Sequence, residues 1–114
     1  MIAVIFEVDP HPGAAPRYLE LAAALKADLG TIEGFISVER FESLAQPGRY
    51  LSLSFWRDET AVRNWRCHGM HRRAQQEGRG DILAGYQLQV ATVVRNYGMR
   101  DRDQAPSDSL AALI

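Results

Sequence analysis

The stretch LSLSFWRDETAVRNWRCHGMHRRAQQEGR, Leu51 to Arg79, decides how the chain is read. Leu51, Leu53 and Phe55 alternate with Ser52, Ser54 and Trp56, the period of two of a β-strand. Asp58 then stands as an N-cap with Glu59 in the first turn, where a negative charge suits the helix dipole. Val62 and Trp65 follow at helical spacing, and Gly69 predicts a bend or break. MHRRAQQE (Met70–Glu77) would be a second helical piece ended by Gly78. Two of the three histidines, one of the two tryptophans and the only cysteine fall within the seven residues from Trp65 to His71.

Outward from that stretch the pattern is equally regular. Ile2, Val4, Phe6 and Val8 alternate with Ala3, Ile5 and Glu7 as a first strand, which Asp9–Gly13 (DPHPG) breaks with two prolines and a glycine. Tyr18, Leu21, Ala22, Leu25 and Leu29 form a helical stripe, with Pro16 tolerated in the first turn and Gly30 expected as a left-handed stop. Phe35 to about Ser43 and Tyr50–Trp56 read as a hairpin around the proline-glycine turn AQPGR, and Tyr86–Tyr97 (YQLQVATVVRNY) as the last strand.

The order β-α-β-β-α-β is that of an α+β, ferredoxin-like domain, a four-stranded antiparallel sheet with both helices on one face. The other face is expected to carry Ala3, Ile5, Phe35, Phe41, Trp56, Ala91 and Val93 mixed with Glu7, Glu39, Ser52, Ser54 and Gln89. That mixture is too apolar for open water and too polar for a dry core, so a homodimer burying sheet against sheet is expected. The domain is expected over 1–98, with 99–114 a charged tail ending in an apolar group, either loose or docked on a partner subunit.

A length of 114 residues allows one core but no deep cleft between lobes. The net charge of −1 leaves no electrostatic footprint for nucleic acid or an acidic membrane. No apolar run approaches a membrane span, and IAVIFEV, interrupted by Glu7, reads as a strand and not a signal peptide. A lone Cys67 makes no internal disulfide and fits a cytoplasmic setting.

With these elements in place, the chain resembles the antibiotic biosynthesis monooxygenase family of small dimeric α/β barrels. The residues that carry the likeness are LSLSFW, the helix segment with its Trp65-x2-His68-x2-His71 spacing, and YQLQVATVVRNYG. In the haem-degrading branch the resemblance calls for an asparagine on the first strand and a histidine ten residues after the helix tryptophan. Phe6 and Gln75 stand at those positions, and His71 lies about one helical turn from the required place, which argues against haem. In the branch that oxidises anthrones and quinols the resemblance implies no metal or flavin, because the electron-rich substrate anion itself gives an electron to O2. It implies a small aromatic substrate beside Trp65, with Asn64 and Tyr86 as further binding residues and His68 and His71 as base or anion-stabilising donors. The alternative is a non-catalytic barrel that binds a small ligand or acts in a stress response.

The residues themselves temper each assignment. Trp65 suits a core anchor as well as a pocket wall. Asn64 and Trp65 are adjacent and cannot share one helical face. His68 shares the Trp65 face if the helix is unbroken, and His71 falls about 120° further round. Cys67 and His68 diverge by about 100°, a poor chelate, so no metal site is expected and Cys67 is read as a buried or half-buried helix residue. Glu39, Arg40 and Arg95 are read as strand charges that pair across strands or at a dimer seam. His11 is placed in a solvent-exposed loop, and Tyr50, Tyr86 and Tyr97 at strand ends.

Overall fold

The computed structural model describes residues 1–69, 72, 73, 76 and 81–109. Its elements are β1 (Ile2–Pro10), α1 (Ala15–Leu29), β2 (Phe35–Glu42), β3 (Tyr50–Trp56), α2 (Glu59–Arg66) and β4 (Leu83–Thr92). The sheet order is β2-β3-β1-β4 with every neighbouring pair antiparallel, the ferredoxin-like arrangement. Among the described residues no helix is long and apolar enough to cross a membrane.

Local chemistry sets the element ends. Asp58 is extended and its side chain accepts from the Ala61 amide at 2.9 Å, so α2 begins as the sequence predicts. That amide and the Arg57 guanidinium hold the Asp58 carboxyl below its ordinary pKa. α2 stops at Arg66, three residues before Gly69, because the chain tightens there: the His68 amide donates to the Trp65 carbonyl at 2.9 Å. Gly69, Arg72, Arg73 and Gln76 are again helical, and the Arg72 amide donates to the His68 carbonyl.

Gly30 differs from its expected left-handed form; it is right-handed at φ −63°. The helix unwinds instead through Thr31, whose amide and hydroxyl both donate to the Asp28 carbonyl. In this link the left-handed glycine is Gly34, at φ +89°, where the chain turns into β2. β4 begins three residues before Tyr86 and ends at Thr92, five short of the expected end.

Register decides which side chains meet the helices, and here the expected faces change. β1 pairs Ile2 with Trp56, Val4 with Ser54 and Phe6 with Ser52, so Ser52, Ser54 and Trp56 lie under the helices, not on the open face. Leu51, Leu53 and Phe55 turn to the open face beside Ala3 and Ile5. Phe35 also joins the helix side, since the β2–β3 register slips by one residue between Phe35 and Ser37 and leaves Ile36 unpaired. Beyond the slip Val38 and Arg40 stand opposite Ser54 and Ser52, facing the helices, while Glu39 and Phe41 face outward.

One core cluster joins Ile2, Leu29, Trp56, Ala61, Val62 and Trp65, and a second joins Val8, Tyr18 and Ile82. Past β4 the tail folds on itself. The Asn96 amide donates to Gln104 Oε1, Arg102 donates to the Gly98 and Ser109 carbonyls, and its guanidinium lies over the Tyr97 ring.

Candidate functional site

The two core clusters are separated by space. A cavity of about 240 Å³ lies between α1, α2 and the helix-facing side of the sheet. Its walls are hydrocarbon and aromatic: Val4 and Phe6 from β1, Leu21 and Leu25 from α1, Trp56 from β3, Trp65 from α2. It opens along β4, where Tyr86, Leu88 and Val90 line it while remaining about half exposed, at 52%, 48% and 45%. A concave, mostly apolar chamber with a few polar groups is the usual form of a small-molecule site.

Trp65 is both anchor and wall. It is 9% exposed, packs in the first core cluster and lines the cavity. Tyr86 lines the mouth and meets Phe6 edge to face at 5.6 Å. His68 is half-buried and stacks on Trp65 with ring centroids 5.6 Å apart and planes at 29°. The tight turn explains the stack, since in a three-residue turn positions three apart eclipse. His68 is not among the residues lining the cavity, and Asn64 is exposed on α2. His71 and Gln75 lie outside the described residues. Phe6, at the strand position where haem degraders carry asparagine, offers the cavity only hydrocarbon.

Cys67 is exposed, unlike the buried or half-buried helix residue expected, because α2 has ended and the residue rides on the turn. Arg72 donates to its sulfur at 3.7 Å and, with Arg66 and Arg63, lowers the thiol pKa. Among the described residues no cluster of three or more His, Cys, Asp or Glu is placed to hold a metal.

The polar groups of the cavity are ones that the sequence reading assigned elsewhere. Ser54 is buried, and its hydroxyl oxygen accepts the Trp56 indole N–H at 2.9 Å, leaving its own proton free to donate. Ser52 lies one pleat along. Arg40, expected at a charge seam, reaches under α1 and donates through Nη2 to the Ala22 carbonyl at 3.3 Å. Tyr18, 8% exposed, lines the same cavity as that guanidinium and feels its charge. Burial pushes the Tyr18 hydroxyl above the usual phenol pKa, and Arg40 works against that rise. One signal was present in the sequence: Arg40 shares the alternating set of Val38, an apolar residue that a core-facing strand requires.

Comparison with known proteins places this geometry. The sequence model of the antibiotic biosynthesis monooxygenase family matches residues 1–77. Jasmonate monooxygenase ABM of Pyricularia oryzae is 46% identical over 93 residues, covering 82% of this chain and 43% of that protein. Bacillus subtilis YqjZ is 34% identical over 62 residues, covering 54% of this chain and 53% of YqjZ. The chain therefore spans about half, or less, of the length of these relatives. Among solved structures, a variant of SnoaB, described as a cofactor-independent oxygenase from Streptomyces nogalater, superposes with a TM-score of 0.73 at 15% identity, covering 83% of this chain and 94% of that one. At that identity the likeness is one of fold. The family match over most of the chain, together with the ferredoxin-like sheet and its helix-covered cavity, shows that the chain belongs to the antibiotic biosynthesis monooxygenase family.

Proposed function

We propose that this domain is a monooxygenase that uses O2 without a metal or organic cofactor to oxidise a small phenolic, quinol or anthrone-like substrate in the helix–sheet cavity. The observation that carries the reading is the cavity itself, walled by Trp65, Trp56 and Phe6 and entered beside Tyr86. Family membership supports oxygenase chemistry, and the description of SnoaB supports the absence of a cofactor. The name of the Pyricularia relative brings jasmonate in as a second probe beside anthrones.

The chemistry asks little of the protein beyond shape and exclusion of water. A substrate anion gives one electron to O2, the resulting radical pair closes a C–O bond, and the peroxide loses water to leave a carbonyl. For an anthrone, CH2 becomes C=O, one oxygen atom stays in the product and the other leaves as water with both hydrogens. In this reading Trp65 and Tyr86 flank the ring, and His68 holds Trp65 in place through the stack. Apolar walls keep water from the reactive pair.

The open face supports a homodimer as the working form. Leu51, Leu53, Phe55 and Ile5 present a partly exposed apolar surface there that a second copy of the same sheet would cover.

Incubation with anthrone under 18O2, after exhaustive treatment with a chelator, is expected to give the ketone carrying one labelled atom at an undiminished rate. Trp65→Phe is expected to keep the fold and lower that rate about tenfold or more, through loss of the indole wall. Unlabelled ketone, or activity restored only by added metal, would defeat the reading.

A further inference from the structure

The cavity contains an electrostatic imbalance that an apolar substrate leaves unresolved. Two arginines, Arg40 and Arg66, line it, and no aspartate or glutamate does among the described residues. Arg66 is exposed at the end of α2, so its charge is solvated. Arg40 is different. It sits in mid-strand on β2 beneath α1, and its Nε–H is buried with no acceptor. Its hydrogen-bond partner, the Ala22 carbonyl, is neutral, and so is the Tyr18 hydroxyl whose ionisation it influences. The ion pairs formed among the described residues join Arg17 to Glu20, Arg49 to Asp9, and Arg57 to Glu33 and Asp58; none includes Arg40.

An inward guanidinium with an orphan donor and no counter-charge is costly, and native interiors rarely leave one unsatisfied. The fork geometry of arginine fits an oxygen anion approaching in its plane. Ser52 and Ser54, opposite Arg40 and Val38 on β3, add hydroxyls to the same side of the chamber.

We propose that Arg40 is the anion-binding group of this cavity, and that the ligand is a small, mostly apolar molecule bearing one anionic oxygen group that accepts from the Arg40 guanidinium. The anion is a carboxylate or a phenolate or enolate, and the apolar remainder lies against Trp65 and Phe6. The proposal rests on the cavity being the substrate site, as the oxygenase reading also holds, but not on oxygen chemistry. It gives that reading a charge that holds the substrate as its anion.

The test is calorimetric binding under nitrogen, with two matched pairs of probes. One pair is 4-phenylbutyrate and its neutral isostere 4-phenylbutanamide; the other is 4-nitrophenolate and 4-nitroanisole. The wild-type protein is expected to prefer the anion in at least one pair by about 10- to 100-fold, and the pair that shows it identifies the kind of oxygen bound. Arg40→Gln is expected to cut that preference below about 3-fold while leaving the neutral probe's affinity unchanged. Arg40→Lys keeps the charge but loses the fork, so a reduced preference should persist, and this variant carries the test if Arg40→Gln does not fold. Absence of any anion preference in the wild type, an equal loss for anion and neutral probe in Arg40→Gln, or an undiminished preference in Arg40→Lys would overturn the proposal. An Arg40-dependent preference without oxygen uptake defeats the oxygenase reading alone. Oxygen uptake without that preference defeats only this one.

Discussion

Trp56→Ala is expected to destabilise the domain by about 3–5 kcal/mol, a large share of the roughly 5–15 kcal/mol that holds a domain of this size together. Trp56 is 1% exposed, the largest fully buried side chain among the described residues, and it joins the sheet to α2 within one cluster. Its ring meets Phe35 edge to face at 5.2 Å, and its indole N–H is satisfied by Ser54. Truncation would remove the ring, orphan the Phe35 edge, and enlarge a chamber that already has empty volume beside it. Neighbouring side chains have little means of refilling the gap, since Ile2 and Phe35 are fixed on strands. Trp56→Phe keeps most of the packing and loses chiefly the bond to Ser54, about 1 kcal/mol. Urea denaturation of the three proteins checks the order. A loss under about 1.5 kcal/mol for the alanine variant would mean that Trp56 is not the keystone described here.

The second large effect comes from a residue with no side chain. Gly34→Ala is expected to cost about 2–4 kcal/mol, from two sources that add at one atom. The backbone stands at φ +89°, where any side chain crowds the following carbonyl. A Cβ there would also fall 2.8 Å from the Ala61 Cβ, on the first turn of α2. Gly34 cannot retreat, because its carbonyl accepts the Arg57 amide at 2.7 Å in the link between β3 and α2. Displacing α2 would move Trp65, so the loss of stability should come with weaker binding of cavity ligands. Adding Ala61→Gly removes the clash but not the φ strain. A double-mutant cycle read by urea denaturation should show favourable coupling of about 1 kcal/mol or more; strict additivity would contradict the contact.

Much of this architecture was legible in the sequence because it rests on local rules. Alternation in Ile2–Val8 and Tyr50–Trp56, the stripe from Tyr18 to Leu29, and the Asp58 cap each specify an element without reference to its neighbours. What sequence could not give was which alternate set of a strand faces the helices. On β3 the intuitive choice turns Leu51, Leu53 and Phe55 inward, yet pairing with β1 turns the serines inward instead. The inversion suits the roles proposed for the two faces: hydroxyls in the chamber, and leucine and phenylalanine on the face proposed to meet a second copy. On β2 the one-residue slip at Ile36 hides from any period-two reading, and it puts Phe35 and Arg40 on the same side of the sheet.

The site was legible only in part for the same reason. Trp65 and Tyr86 are large aromatics at patterned positions, and both line the cavity. Their partners Arg40, Tyr18, Ser52 and Ser54 come from three other elements, and only the tertiary fold brings them together. The His68 angle depended on how α2 ends. An unbroken helix and a tight turn both place it near Trp65, but the turn sets the imidazole as a stacked neighbour of the indole.

The most direct test of the central claim is oxygen consumption by the wild-type protein and by Leu88→Trp, measured with anthrone in chelator-treated buffer. Leu88 stands half-exposed at the cavity mouth on β4, so a larger ring there plugs the entrance with little demand on the core. The wild type should consume one O2 per substrate oxidised. The variant, melting at the wild-type temperature, should be slowed by about tenfold or more, as expected when a reactant cannot reach its productive position. No uptake above the uncatalysed background in the wild type, or undiminished uptake in Leu88→Trp, would contradict the account.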